Sequence, residues 1–463
     1  MQIINFGPIE NADIQLTNCS FFAGKNNVGK SVMAQLLYSL MKVFSPTLEE
    51  MSCYLPELVE NEFTKLMEEV VSKSKKTKSP PRKSSKKSSG KSKKKSPRKP
   101  TRKISGVWKV SQKDLEQIEE LAHKRRNKIK KHINTELSSF FQNALKERIE
   151  LEITYVFSSS IYDYIRLGEE NAKIHFDYGD SIYQCIFSMG IYRKSQSIRM
   201  EASVKVDNDF LNKYIKDMYR SPIRNLKGKN IRYKWEKNGK LNVKFPFRPP
   251  NEKTYNLPSE SSKPWNTYYI PAGRAGLLEG YKVVSQAFYK TAPTVSLGDD
   301  KSPSISGVVA DYYTLLMSFD GKKGHYNKIV KDISSKTIGG LVEIESKEYP
   351  FSVMKYRLKS PDGNETSIDI TKASSMIKEL APILMLVAEK LRPNDVLIIE
   401  EPESHLQSKT QLELAEFFFN LSKEGVRILV TTHSELMLRQ CFQLFDQKGL
   451  PITGNLFIFK SSS

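Results

Sequence analysis

Apolar positions change spacing along the chain, and each change marks an element. Ile3, Ile4 and Phe6 run up to the Gly7-Pro8 pair, which predicts a strand closed by a turn. Ile14 and Leu16 alternate with polar neighbours, and Ser20-Phe21-Phe22-Ala23 is short and mostly apolar. Both patterns predict strands, the second one buried. Val32, Leu36, Leu37, Leu40 and Met41 then recur at helical spacing. Residues 48–71 form an acidic helical stretch, and residues 115–151 form a highly charged one. Between residues 150 and 246 the pattern turns β-rich, as in Ile198, Met200, Ala202, Val204 and Val206. From Tyr268 onward α/β character returns, with Ile377, Leu380, Leu384, Val387 and Leu391 on one helix face. No internal repeat is found. This order predicts an α/β fold whose core is split by a large insertion.

Composition narrows the class. The 463 residues are 39% hydrophobic and 27% charged, ordinary for a soluble globular protein with one large or two smaller cores. No apolar run approaches the roughly 20 residues needed to span a bilayer. The first residues lack a basic segment followed by an apolar one, so a secretory signal is not expected. Cys19, Cys53, Cys185 and Cys441 are scattered without metal-ligand spacing. They read as reduced thiols of a cytoplasmic protein.

The net charge of +21 is concentrated. Residues 73–103 hold 16 Lys or Arg and no acid, so removing them leaves +5 for the rest. That Lys/Ser/Pro tract has too little apolar surface to offset its ordering entropy and is expected to be disordered. It reads either as a solvated insertion or as a tether for nucleic acid, acting on phosphates and weakened by salt.

Three motifs carry chemistry. Gly24-Lys25-Asn26-Asn27-Val28-Gly29-Lys30-Ser31 fits G-x-x-x-x-G-K-[ST] between an apolar strand and an amphipathic helix. Its glycines let backbone N–H groups wrap phosphates, and the helix N-terminus favours anions. Lys30 would reach the β- and γ-phosphates of ATP, and the Ser31 hydroxyl would bind Mg²⁺. Val396-Leu397-Ile398-Ile399 predicts a central parallel strand that ends in Glu400-Glu401. Carboxylates belong at that edge, one for the metal shell and one for the attacking water. Glu400 is assigned to the metal and Glu401 to the water. Arg427 to Thr432 predicts another strand, and His433 at its end would sense or stabilise the γ-phosphate. Taken alone, a histidine at a strand end is more often structural.

These motifs, in this order, resemble the ABC ATPase superfamily, and more closely its OLD, RecF and SMC-like branch. Pro402-Glu403-Ser404-His405-Leu406 looks like that branch's D-loop segment. Thr371-Lys372-Ala373-Ser374-Ser375-Met376 stands where the signature motif belongs. The resemblance implies that Ser374 and Ser375 contact the γ-phosphate held by a second subunit; a plain helix N-cap is the competing reading. Tyr268 to Arg274 resembles a strand ending in Pro-Ala-x-Arg near the nucleotide. That makes Arg274 a candidate phosphate or interface contact, with an ordinary loop arginine as the alternative. There are departures: Glu400 replaces the usual Asp, the signature lacks glycines, Pro382 implies a kink, and no Gln-containing loop is identifiable.

The resemblance implies an ABC-type P-loop head with a β-rich lobe and a helical, coiled-coil-like insertion. Residues 1–45 and 267–463 would form the head, 46–150 the insertion carrying the tract 73–103, and 151–266 the lobe. The implied reaction is Mg²⁺-dependent ATP hydrolysis by a head-to-head homodimer or higher oligomer, in the cytoplasm and away from membranes. About 30 residues follow His433, too few for the Toprim nuclease domain of many OLD-like proteins. The resemblance therefore extends to the ATPase components of PARIS-type phage-defence systems. These imply an ATP-driven sensor or scaffold controlling a separate effector, such as a Toprim-like nuclease. The rivals are a DNA-repair or chromosome-maintenance ATPase that clamps DNA, and a nucleotide-bound scaffold with negligible turnover.

Overall fold

The computed structural model of the chain describes residues 1–25, 27–74, 105–226, 228–235, 241–244, 264–280, 283–284, 305–348, 351–359, 364–447 and 454–459. The chain opens with β1 (Gln2–Phe6), β2 (Ile9–Asp13) and β3 (Cys19–Gly24). Helix α1 (Lys30–Ser74), β4 (Ser105–Lys109) and helix α2 (Gln112–Phe157) come next. Strands β5 (Asn171–Gly179), β6 (Tyr183–Tyr192) and β7 (Ser197–Val206) lead to α3 (Asn208–Leu226), β8 (Asn230–Trp235) and β9 (Leu241–Lys244). The second half holds β10 (Thr267–Ile270), α4 (Gly307–Ser318), α5 (Asn327–Thr337), β11 (Gly340–Glu348), β12 (Phe351–Lys359) and β13 (Glu365–Asp369). It closes with α6 (Ser375–Glu389), β14 (Val396–Glu400), α7 (Ser408–Lys423), β15 (Arg427–Thr432), α8 (Glu435–Gln447) and β16 (Gly454–Phe459).

A parallel sheet in the order β10-β14-β15-β3-β16 forms the centre. Strands from both ends of the chain meet in it. Every residue of β14 is buried, as expected for a parallel strand covered on both faces. On one face Val396 and Ile398 join the core built around α1; on the other Leu397 and Ile399 join the core of α6 and α7. An antiparallel sheet, β2-β1-β5-β6-β7, packs beside α1 and α2. Two three-stranded sheets, β11-β12-β13 and β4-β8-β9, complete the described residues.

The helical arm differs from the sequence expectation. Separate helices were expected around Val32–Met41 and over residues 48–71; α1 instead runs unbroken from Lys30 to Ser74 through Pro46 and Pro56. Its 45 residues span about 68 Å at 1.5 Å per residue. Proline normally breaks a helix, but here the apolar stripe persists across both. Leu40, Val43, Phe44, Leu48, Met51, Leu55 and Val59 are all buried. Helix α2 supplies the matching stripe, Ile129, Ile133, Leu137, Phe141, Leu145 and Ile149. Ser111 and Asp114 form a capping box at its start, which satisfies otherwise orphaned N–H groups.

Helix α2 also closes an open sheet edge. Ser138 Oγ contacts Val204 N at 2.9 Å and Val204 O at 3.2 Å, and Asn134 Oδ1 accepts from Val206 N at 3.1 Å. Unpaired β7 backbone is thereby protected from other strands. The second predicted strand is displaced: β2 covers Ile9–Asp13, and Ile14 is buried just beyond it. Hairpin pairing of β2 with β1 decides this, with Phe6 opposite Ile9. Helix α6 continues through Pro382 as one helix. The basic tract lies outside the described residues, except that Lys73 and Ser74 end α1 and Lys73 pairs with Glu69 at 2.8 Å.

Phe44 welds arm to lobe. Its ring meets Phe141, Phe176 and Phe187 edge-on at 5.4, 5.0 and 5.9 Å. Phe44→Ala is expected to destabilise the α1–α2–lobe unit by about 3–5 kcal/mol, read by chemical denaturation. A loss below about 1 kcal/mol would show that this seam collapses around the cavity.

Candidate nucleotide site

Because β10, β14, β15 and β3 are neighbours and parallel, their C-terminal ends share one edge. Glu400 is in register with Thr431, and Thr432 with Ala23. The three sequence motifs therefore converge at the crevice where open α/β sheets bind ligands.

The loop after β3 turns on left-handed backbone at Asn27 (φ 61°) and Gly29 (φ 99°). A Cβ at Gly29 would lie 2.8 Å from Ile9 Cγ1 and 3.0 Å from Pro8 Cγ. Glycine is thus required both by dihedral and by the β1–β2 hairpin pressed against the loop. Gly24 closes β3; Asn26 lies outside the described residues. Lys30 is the first residue of α1 and is 6% exposed. Its ammonium donates to Gly24 O at 3.0 Å and Lys25 O at 2.7 Å. Burial lowers its pKa, while the charges of Glu401 and Glu403 oppose that shift. Ser31 follows on the exposed side of the first turn.

Glu400 is buried. Its Oε2 accepts from Ala272 N at 3.3 Å, while Oε1 is buried without a hydrogen-bond partner. Such an orphaned hard oxygen fits a ligand of Mg²⁺. Glu401 takes a left-handed φ of 41°, and its N–H donates to Thr431 O at 2.9 Å. The turn directs its carboxylate to His433, with Oε1 3.4 Å from Nε2. Both side chains are about one-third exposed, 39% and 34%, so the pair opens to the crevice.

Two partners escaped the sequence reading. Glu403 Oε1 accepts from Thr432 Oγ1 at 2.7 Å, His433 N at 2.6 Å and Ser434 N at 3.2 Å. It fastens the turn after β14 to the turn after β15. Its motif was legible; its long-range partner was not. Glu379 is the other, a fully buried acid among the apolar residues of α6. A lone charge on an apolar helix face was the available signal.

Arg274 requires a correction. It is 0% exposed and is not poised for phosphate. Nε lies 2.9 Å from Glu379 Oε2 and donates to Glu379 O at 3.2 Å. Nη1 donates to Pro271 O at 3.0 Å and Glu400 O at 2.6 Å, and Nη2 to Glu401 O at 3.0 Å. The guanidinium is thus consumed beneath the paired acids. Ser374 is the N-cap of α6, its Oγ accepting from Ile377 N at 3.4 Å. Ser375 starts the helix, and both serines are exposed. Neither is brought to the P-loop of its own chain by any hydrogen bond among the described residues.

Residues 1–438 match the family model AAA_15, an AAA ATPase domain. The chain belongs to this AAA_15 family. No curated protein matches the chain. Among solved structures, the Smc head bound to the C-winged helix domain of ScpA is 10% identical, with a TM-score of 0.36, covering 95% of this chain and 90% of that one. The Pyrococcus furiosus Smc head with an extended coiled coil, bound to the C-terminal domain of ScpA, is 11% identical at TM-score 0.37, with the same coverage. The Thermotoga maritima SMC head domain is 13% identical at TM-score 0.28, covering 64% and 79%. The chain is thus an AAA ATPase domain whose phosphate loop sits at the edge of the central parallel sheet. Among the described residues, no cluster of three or more His, Cys, Asp or Glu could hold a metal ion, and no helix is long and apolar enough to cross a membrane.

Glu379→Ala leaves Arg274 buried without its counter-charge. Removing one partner of a buried pair costs about 3–5 kcal/mol. A thermal melt should show a large drop, and an unchanged melt would mean that the carbonyl contacts alone hold Arg274.

Proposed function

We propose that this AAA_15 protein hydrolyses ATP with Mg²⁺, at sites completed by a second copy of the chain. The observation supporting this most directly is the convergence of the Lys30 loop, Glu400, Glu401 and His433 on one sheet edge, with Glu401 3.4 Å from His433. Lys30 leaves its loop carbonyls to meet the β- and γ-phosphates, supported by the N-terminus of α1. Ser31 and the orphaned Glu400 oxygen would hold the metal, which would neutralise phosphate charge. Glu401 accepts the proton of the attacking water, and His433 holds its carboxylate in place. The longer Glu400 side chain, in place of the usual Asp, is accommodated by the Ala272 N–H contact.

Ser374 already serves its own helix as a cap. Ser375 is exposed at the N-terminus of a 15-residue helix, where the backbone favours an incoming anion. In this reading it meets the γ-phosphate of the opposing copy. The ATP cycle then drives a sensor or scaffold that controls a separate effector, in line with the resemblance to phage-defence ATPases. Steeply salt-dependent stimulation of turnover by duplex DNA would favour the DNA-clamping alternative instead.

Lys30→Ala is expected to abolish ATP binding, read by equilibrium titration. Glu401→Gln should keep binding, lose turnover by about 10²-fold or more and accumulate ATP-bound dimers. Normal turnover in Glu401→Gln with loss in Glu400→Gln would exchange the two roles.

Assembly has its own test. Lys30→Ala and Ser375→Arg chains should each be inactive alone. Mixed under subunit exchange, one composite site carries both lesions and the other carries neither, so activity should partly return. Full turnover by Ser375→Arg alone would leave the site complete within one chain.

A further inference from the structure

Tyr269 lies on β10, in register with Ile398 of the adjacent β14. Its side chain points to the α1 side of the sheet and is 2% exposed. Glu400 emerges on the same side, two residues beyond Ile398. The tyrosine hydroxyl stands beside the Glu400 carboxylate and the Gln35 side chain. Yet neither Tyr269 Oη nor Glu400 Oε1 completes a hydrogen bond of good geometry, and both atoms are buried. Two adjacent orphaned oxygens are unusual, because each carries an uncompensated desolvation cost.

The surroundings hold Tyr269 firmly. Its ring packs on Tyr38 of α1 at 5.2 Å between centroids. Tyr38 Oη donates to Asp311 Oδ2 at 2.7 Å. Asp311 also accepts from Lys42 Nζ at 2.7 Å and from Tyr155 Oη at 2.9 Å, and Lys42 reaches Glu152 at 2.9 Å. A ring anchored to α1, α2 and α4 therefore aims one hydroxyl at one carboxylate.

We propose that Tyr269 is a positioning residue that fixes the metal-facing Glu400 carboxylate, and that its hydroxyl gains its partner when hydrated Mg²⁺ occupies the site. The proposal rests on the ATPase reading above and deepens it. A tyrosine hydroxyl can donate to Glu400 Oε1, or accept from water held by the metal, without adding charge to the site. Hydrogen-bond partners of metal ligands commonly alter metal affinity by about 10–100-fold when removed.

The test uses the full chain carrying Tyr269→Phe, with Mn²⁺ as the metal and a non-hydrolysable ATP analogue as the nucleotide. Nucleotide affinity without metal should match wild type. The metal concentration for half-saturation should rise about tenfold. The ligand-free melting temperature should hold or rise, since an unpaired buried hydroxyl has been removed. Tyr38→Phe, which keeps the ring but cuts the Asp311 tether, should shift the metal titration in the same direction. If wild type binds metal and nucleotide normally and the Tyr269→Phe titration does not move, the positioning role is overturned while the ATPase reading stands. A fall in ligand-free melting temperature with an unmoved titration overturns it equally, as a purely structural role. If wild type shows no metal-dependent nucleotide binding, both readings fall together.

Discussion

A single buried guanidinium holds the ends of three elements together. Arg274 follows β10, reaches the carbonyls of Glu400 and Glu401 at the end of β14, and pairs with Glu379 of α6. A charge so far from water is tolerated only when it is paired and hydrogen-bonded. That requirement makes the arrangement strict, because Arg274 cannot move without leaving a buried charge unpaired. The left-handed turn at Glu401 depends on it. A non-glycine residue persists there only when its surroundings over-determine it. Here Arg274 holds the Glu401 carbonyl while Thr431 holds its N–H.

The two acids are then separated by strand geometry. Successive strand side chains face opposite ways, so Glu400 shares a face with Ile398 and Val396 and looks toward α1. Leaving the strand at Glu401 breaks the alternation and brings that carboxylate to His433. One acid becomes buried and turned toward the P-loop helix, and the other partly exposed and turned toward the crevice. Glu403 completes the edge by joining the turns after β14 and β15.

The helix that starts at the P-loop is also the first rod of the arm. Lys30 and Glu69 lie on one uninterrupted α1. Glu69 is ion-paired across to Arg125 of α2 at 2.6 Å. No loop decouples the phosphate-binding end from the distal arm. Pro46 and Pro56 each remove one backbone hydrogen bond from the rod. The Asp311 cluster clamps α1 to α2 and α4 three turns beyond Lys30.

Local sequence determined the elements that build the candidate site. The phosphate loop, the all-buried strand ending in paired acids and the strand ending in His433 each depend on a short run of residue types, and periodicity carries such runs. The strand-rich character of residues 150–246 and the start of α6 at Ser374 and Ser375 were legible for the same reason. Tertiary structure decided what depends on partners far along the chain. Pro46 and Pro56 argue locally for helix breaks, but the continuous apolar stripe packed on α2 overrides them. Arg274 read as a candidate phosphate or interface contact because its counter-charge, Glu379, lies 105 positions away in sequence. The pairing of β10 beside β14 is what sets the Tyr269 hydroxyl against Glu400. Buried polar pairing is satisfied across the fold rather than along the chain, so residue spacing could not reveal it.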